Sequence, residues 1–329
     1  LRHLCNRLFP DDERVTFYTT FGYLSGEEWI IPMRIWVHEY RTPVERLVVE
    51  CARKLGVSDP KELGLFRSRI RPFVADSESL ERVEFMFDGD PSGESFRIAN
   101  LKGRCPRSDR NGRIEGHIRI SRRRVDELLA VQGSHDGWLT IRAVSREHSG
   151  SGRIRLIGPE GHSVISDIDD TIKITGITEG RRQVILNTFF RDYRPVAEMA
   201  QLYRSWRNAA FHYVSGSPWQ LFEPLSEFLL TTCPAFPEGS FHMKNARKNL
   251  LSRNTWRDLK NLVTNENLTY EQKTEQIAAI LTCFPARRFT LVGDSGEKDP
   301  EVYHEIARRF PDQVEEILIL DATGRIVSG

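Results

Sequence analysis

No stretch of the sequence reaches the roughly 18 apolar residues that a membrane-spanning helix requires, because charge interrupts its greasiest segments every few positions. A helical crossing of a bilayer is therefore not expected. Cysteine is scarce: Cys5, Cys51, Cys105, Cys233 and Cys283 are odd in number, widely spaced and never arranged as CxxC. That usage argues against a disulfide scaffold and against a zinc ribbon. GxxxxGK[ST] is missing, which excludes an ATPase built on that phosphate loop, and the nine histidines show neither HExxH nor HxH spacing. Net charge is nearly absent as well, at +1. The chain opens on Leu1 rather than Met, which leaves a removed export or targeting segment open.

What remains is the composition of a globular protein, 39% hydrophobic and 28% charged. A length of 329 residues suits two domains, each with its own core. The near-zero net charge hides one local field. Residues 101–124, LKGRCPRSDRNGRIEGHIRISRRR, carry nine basic side chains against two acidic ones. Such a stretch is either a solvated, edge-guarding surface or a contact for an anionic partner.

Up to about residue 160 the texture is that of strands and turns, with RVTFYTTFGYLSG, WIIPMRIWVHEY, VEFMFDGDPSGESFRIANL, GRIEGHIRISRR and GWLTIRAVSRE as β-rich runs. One helix should interrupt them. Thr42 and Glu45 have capping-box spacing, Pro43 fits the first helical position, Val44, Leu47, Val48, Cys51 and Leu55 share a face, and Gly56 can close the end. A second helix is expected from Arg123 to Val131, and HSGSGR at 148–153 as a hinge or hairpin. Residues 1–158 thus read as a β-rich, sandwich-like domain.

Beyond residue 160 the period changes. Strand-like VISDI, FHYVS, GSFHM, FTLVGD and EILILD alternate with helical patterns at Pro195–Trp206, Pro218–Leu230, Thr255–Leu262, Tyr270–Leu281 and Pro300–Arg309. Alternation of this kind implies an α/β domain over residues 159–329, a parallel sheet with helices on both faces. Ligands of such sheets bind at the carboxyl ends of the strands. Three strands end in polar clusters, VIS-DIDD, YVS-GS and LVG-DSGEKD, which a single parallel sheet would gather at one edge.

The densest cluster is VISDIDDTIKITG, with Asp167, Asp169 and Asp170 in four positions. An EF-hand loop counted from Asp167 would need Gly and Glu where Ile172 and Thr178 stand. A helix cap needs one aspartate, and three repel one another unless a cation offsets them. GDSG at 293–296 matches part of a trypsin-like nucleophile segment, but Glu-Lys-Asp follows it and no TAAHC-like segment exists. A pair of glycosidase carboxylates would leave Lys273 and GDSGxxD unexplained.

Asp167-Ile-Asp169-Asp170-Thr171 after a hydrophobic strand resembles motif I of the haloacid-dehalogenase-like (HAD) phosphohydrolases. The further motifs follow in that family's order: Ser215 ending FHYVS, Lys273 in TYEQKTEQIAAIL, and GDSGEKD with Asp294 and Asp299. More closely, VISDIDDTIK, YVSGSPWQLF and FTLVGDSGEKDPEVY are similar to the catalytic domain of actin-patch-associated phosphatidate phosphatases and their bacterial relatives, over about residues 160–325. The resemblance implies a HAD-like Rossmannoid fold and a Mg²⁺-dependent phosphatidate phosphatase. Asp167 would be the nucleophile and Asp169 the general acid and base, with Ser215 and Lys273 holding the phosphoryl group. Mg²⁺ would be held by Asp167, the main-chain carbonyl of Asp169 and Asp294, with Asp299 behind them or as an occasional ligand. Asp170 and Thr171 would support the loop, Thr171 through main-chain hydrogen bonds, and Lys173 and Thr175 would lie near the entrance.

About forty residues separate motifs I and II, too few for a folded cap, and an open site suits a head group presented at a membrane surface. The expected substrate is a phospholipid met peripherally in the cytoplasm. Lys102 to Arg124 and the aromatics Phe189, Phe190, Trp219 and Phe222 are the candidates for contact with anionic lipid. Two alternatives stay open: the same chemistry on a phosphorylated nucleic-acid end or protein, and a non-catalytic module that binds membrane or partners. Nucleic acid is the less favoured of the polyanions.

Overall fold

The computed structural model describes residues 13–40, 42–54, 56–145, 148–244, 266–321 and 326–328. The expected helix Thr255–Leu262 and the expected face residue Leu55 lie outside the described residues. The chain forms two compact units, one of residues 1–41 and 75–158, the other of residues 42–74 and 159–329.

In the first unit the described strands join one nine-stranded sheet. Its spine is the twelve-residue strand Glu28–Glu39, which pairs antiparallel with Arg113–Ser121, Thr20–Ser25 and Glu13–Phe17. Period-2 alternation places Ile31, Met33, Ile35 and Val37 on the buried side, where they pack with Phe17, Phe85, Leu139 and Ile154. The helix Arg122–Val131 buries Val125 and Leu128, and Ser121 opens it by accepting the Arg124 amide through Oγ at 3.3 Å. HSGSGR becomes two strands, His148–Ser149 and Ser151–Ile157.

The second unit draws two helices, Thr42–Lys54 and Pro60–Val74, from the stretch that the sequence reading gave to the β-rich domain. Side-chain packing explains why. Phe66 stacks on Phe190 with centroids 4.5 Å apart, Phe73 meets Phe189 edge-on at 5.6 Å, and Arg69 Nη1 donates to the carbonyls of Thr188 at 3.0 Å and Arg191 at 2.6 Å. Pro60–Val74 is a helix that sequence reasoning missed. Gly64, Pro72 and five charged residues mask its apolar face of Leu63, Phe66, Ile70 and Phe73, although Asp59 before Pro60 signals its start, accepting the Lys61 amide at 2.7 Å. Glu45, expected in a capping box, is instead buried beneath Arg67 and Arg71 of that helix.

The sheet of the second unit has six strands in the order Gly239–Lys244, Ala210–Pro218, Glu160–Ser166, Ala286–Asp294, Val314–Leu320 and Ile326–Ser328. The first five run parallel and the last antiparallel. Val164, Ile165, Tyr213, Val214, Leu291 and Val292 are buried, the continuous apolar run expected of strands covered on both sides. Register aligns the carboxyl ends: Ser166 pairs with Tyr213 on one side and with Val292 on the other. The Asp167 amide then donates to the Val292 carbonyl at 2.9 Å, which carries the chain one residue past the strand.

Candidate active site

Three strand ends place their polar clusters together. Asp167, Asp169, Ser215, Lys273, Asp294 and Asp299 are all buried, and hydrogen bonds tie most of them into two groups.

The first group surrounds an ammonium. Lys273, within the helix Glu266–Cys283, donates through Nζ to Asp167 Oδ1 at 2.7 Å, Asp299 Oδ1 at 2.6 Å and Glu297 Oε2 at 2.8 Å. Burial lowers the proton affinity of Lys273, and Asp167, Asp299 and Glu297 outweigh that, raising its pKa well above the ordinary value. Asp167 is pushed upward by burial and by the neighbouring carboxylates, with Lys273 opposing. Asp294 is pushed up to about 7 by burial and then by Asp299. One cation thus faces four carboxyl groups, so the pocket holds an excess of negative charge.

That excess has a geometric counterpart. Oxygens of Asp167, Asp294 and Asp299 lie within 4.8 Å of one another. Asp294 Oδ2 accepts the Gly296 amide at 2.6 Å, while its buried Oδ1 has no hydrogen-bond partner. An orphaned buried oxygen amid three hard carboxylate donors fits a divalent cation such as Mg²⁺. Asp299, expected behind the ligands or as an occasional one, offers its carboxylate to the same cluster, and its Oδ2 also accepts the Asp294 amide at 3.3 Å.

The second group surrounds Asp169. Its Oδ1 accepts Thr175 Oγ1 at 2.7 Å and pairs with Lys173 Nζ at 2.9 Å; its Oδ2 accepts Ser217 Oγ at 2.7 Å and Ser215 Oγ at 3.2 Å. Burial acts to raise its pKa, but Lys173 and the hydroxyls of Ser217 and Thr175 prevail and hold it at about 2. Lys173 and Thr175, expected near an entrance, are instead 1% and 2% exposed. They are the floor beneath Asp169. Tyr193 flanks Lys173 from its ring face, 5.0 Å from Nζ to the centroid.

Asp170 shapes the loop that presents both groups. Its φ is +56°, and its carboxylate accepts the amides of Thr175 at 2.6 Å, Gly176 at 2.8 Å and Ile177 at 2.6 Å. Thr171, expected to bond main chain, instead directs its hydroxyl at Asp167 Oδ2, 3.4 Å away. Below the strand end, Ser166 Oγ meets Tyr203 Oη at 2.7 Å.

Glu297 and Ser217 went unnoticed as functional residues in the sequence. Glu297 lies inside GDSGEKD, where the two aspartates drew the reading. Ser217 lies two residues after Ser215, and YVSGSP shows both serines without showing that a bulge between Ser215 and Pro218 would aim both at Asp169. Phe189, Phe190, Trp219 and Phe222, named as candidates for membrane contact, are between 2% and 8% exposed and belong to the core.

Residues 162–321 match the family described as phosphatidate phosphatase APP1, catalytic domain. Phosphatidate phosphatase APP1 of Saccharomyces cerevisiae is 37% identical over 168 residues, covering 50% of this chain and 26% of the yeast protein. The uncharacterized protein C29B5.04c of Schizosaccharomyces pombe is 26% identical over 211 residues, covering 60% of this chain and 32% of its own length. The chain therefore spans about a quarter to a third of the curated relatives it matches. A solved carbohydrate esterase structure covers 93% of this chain and 87% of its own at a TM-score of 0.23 and 10% identity, too loose a likeness to indicate a shared fold.

Proposed function

We propose, from the match of residues 162–321 to the family described as phosphatidate phosphatase APP1, catalytic domain, that this protein is a Mg²⁺-dependent phosphatidate phosphatase. It releases phosphate and diacylglycerol through an aspartyl phosphate on Asp167. The observation that carries the reading is the pairing of Asp167 Oδ1 with Lys273 Nζ beside the orphaned Asp294 oxygen. A carboxylate nucleophile, an ammonium and a cation-accepting oxygen set are the groups that transfer of a phosphoryl dianion to a protein side chain demands.

In this mechanism Asp167 attacks phosphorus through a carboxylate oxygen, and Lys273 keeps that carboxylate ionised and oriented. When bound, Mg²⁺ held by Asp167, Asp294 and the main-chain carbonyl of Asp169, with Asp299 beside them, supplies neutralisation of the phosphoryl oxygens. Asp169 gives a proton to the departing lipid alkoxide and then takes one from the water that hydrolyses the aspartyl phosphate. Ser215 and Ser217 hold the Asp169 carboxylate, and Ser215, whose contact is the longer at 3.2 Å, turns its single hydroxyl proton from Asp169 to a phosphoryl oxygen when substrate binds. Asp169 must acquire its proton against the pull of Lys173, so Lys173 must loosen its hold as the leaving group arrives.

The substrate is met at a lipid surface. Among the described residues no helix is long and apolar enough to cross a membrane. Lys102, Arg104, Arg110 and Arg122 are exposed and enter no ion pair among the described residues, and Leu101 beside them is 96% exposed. Basic side chains around a protruding apolar one suit peripheral contact with anionic lipid. Four others of the basic stretch are already neutralised, Arg124 by Asp90 and Glu94, Arg113 by Asp109 and Glu115, Arg119 by Glu28, and Arg123 by Glu127, while Arg107 donates to the Leu80 carbonyl.

The test is phosphate release from phosphatidate in detergent micelles, with Mg²⁺ or chelator, beside a soluble phosphomonoester and an Asp167→Asn control. Release that requires Mg²⁺ and Asp167 and favours the lipid supports the proposal. Turnover of the soluble ester alone keeps the chemistry and removes the lipid. No turnover on either substrate refutes the enzyme.

A further inference from the structure

The β-rich unit contains a cluster that phosphoryl transfer does not use. Glu13, Glu81 and His148 each offer one ligand atom, and the three atoms lie within 4.8 Å of one another. They come from three separate parts of the chain. Glu13 opens the strand Glu13–Phe17, and His148 is its register partner on the short parallel strand His148–Ser149. Glu81 lies in a turn whose backbone is pinned by Ser108: the Glu81 amide donates to Ser108 Oγ at 2.8 Å, and the Ser108 amide donates to the Glu81 carbonyl at 2.9 Å.

His148 and Glu13 are close enough to form a cross-strand ion pair when the ring is protonated. His148 Nε2 and Glu13 Oε2 are 3.1 Å apart, a separation that suits a hydrogen bond. Even so, both atoms are buried without a hydrogen-bond partner, so the pair supplies charge contact but leaves the directional bonding of the ring nitrogen unmet. The His148 side chain is 3% exposed. An imidazole nitrogen so deeply buried ought to be satisfied.

The other ring nitrogen is held. His148 Nδ1 lies 2.6 Å from Ser145 Oγ, which also accepts the His148 amide at 3.1 Å. If Ser145 accepts Nδ1–H, the Nε2 lone pair is left directed into the cluster. Ligating histidines are fixed by this kind of outer partner.

We infer that Glu13, Glu81 and His148 form a second divalent-cation site, one that takes a zinc-class transition metal. The donor set distinguishes it from the aspartate cluster. Asp167, Asp294 and Asp299 offer only hard oxygens and suit Mg²⁺, whereas an imidazole nitrogen with two carboxylates favours Zn²⁺. Its role is structural: the ion joins a strand end, a turn and a short strand far apart in sequence. Binding to the folded form alone then raises the stability of the unit that contains it.

The experiment is calorimetric titration of the chelator-treated full chain with Zn²⁺, at a Mg²⁺ concentration that saturates the aspartate cluster, together with thermal unfolding with and without Zn²⁺. The expected result is a single tight Zn²⁺ equivalent and a raised unfolding midpoint. Glu13→Gln and His148→Gln should each weaken binding at least about tenfold and abolish the shift, and Ser145→Ala should weaken binding roughly 10- to 100-fold. Circular dichroism establishes that each variant folds. If His148→Gln fails that check, Ser145→Ala decides, since unchanged affinity there overturns the site. Failure of the wild type to bind Zn²⁺, or equal binding by all variants, overturns it as well. None of these readouts depends on phosphatase activity, so the site and the catalytic proposal stand or fall separately.

Discussion

Lys273 Nζ lies 2.7 Å from Asp167 Oδ1, joining a helix and a strand end 106 residues apart in sequence. The same ammonium reaches Glu297 and Asp299, so one side chain keeps three carboxylates of the pocket from facing each other unopposed.

Removing that ammonium should therefore cost both stability and turnover. Lys273→Met leaves buried carboxylates without their cation, and a drop of about 3–5 kcal/mol is expected in urea unfolding. Phosphate release should fall about 10²-fold or more, because the nucleophile loses its orienting charge. A variant with near-normal turnover would remove Lys273 from the mechanism. The stability loss should shrink when Mg²⁺ is added, since the ion offsets the same carboxylates.

Asp170 should matter through the backbone rather than through chemistry. Asp170→Ala gives up an acceptor for three amides and puts an ordinary side chain at φ +56°. A loss of about 2–4 kcal/mol is expected by chemical denaturation. Asp170→Asn, which tolerates the left-handed region and keeps one carbonyl acceptor, should lose distinctly less. Equal losses in the two variants would refute this account.

Gly293 is required by what lies beside it. A Cβ there would sit 2.4 Å from Asp299 Oδ2 and 2.8 Å from Tyr303 Cε2. Gly293→Ala should displace Asp299, weaken Mg²⁺ binding by calorimetry and destabilise the protein by about 1–3 kcal/mol. Unaltered Mg²⁺ affinity would show that Asp299 is not needed to hold the ion.

His212 should make the fold acid-sensitive. Burial, then His242 and Arg287, hold its pKa well below 6.5, so it is neutral in the folded protein. Ser240 Oγ sits 2.8 Å from its Nδ1, and Phe284 flanks the ring. Because the folded pKa is depressed, the unfolded chain takes up the proton first as pH falls. Its contribution is complete above about pH 6.5 and is lost below it, by up to about 1.4 kcal/mol per pH unit. Urea unfolding at pH 7 and pH 5 should show a shallower acid loss in His212→Phe than in the wild type. Parallel losses would assign the acid sensitivity to other groups.

Much of the parallel-sheet unit was legible because its signals are local. VISDI, FHYVS and FTLVGD are apolar runs stopped by polar residues; the last two lie within strands of the parallel sheet, and VIS ends a third, with Asp167 just past it. Asp294 ends the strand Ala286–Asp294 and Asp299 opens the helix Asp299–Arg309, and both stand out through the short run GDSGEKD between the two elements. Pro60–Val74 was illegible because its reason to be a helix is Phe66 against Phe190 and Arg69 against the carbonyls of Thr188 and Arg191, partners more than 100 residues away. Phe189 and Trp219 read more readily as core than as surface anchors, and packing decides for the core.

By itself, then, the sequence determined which residue types stand at the carboxyl ends of which strands, since strand pattern and polar stop are written within ten residues of each other. It also placed the polar clusters after VIS, YVS and LVG at one edge, once the strands were taken as one parallel sheet, and the family resemblance added Lys273 to them as an expectation. Tertiary structure decided the partnerships. Lys173 pairs with Asp169 beneath the site rather than waiting at its mouth, Glu297 joins the Lys273 network, Thr171 turns to Asp167, and Glu13 meets Glu81 and His148. Each of these depends on a side-chain direction and a burial that arise only when distant segments pack and water is excluded, and neither is encoded in the spacing of residues along the chain.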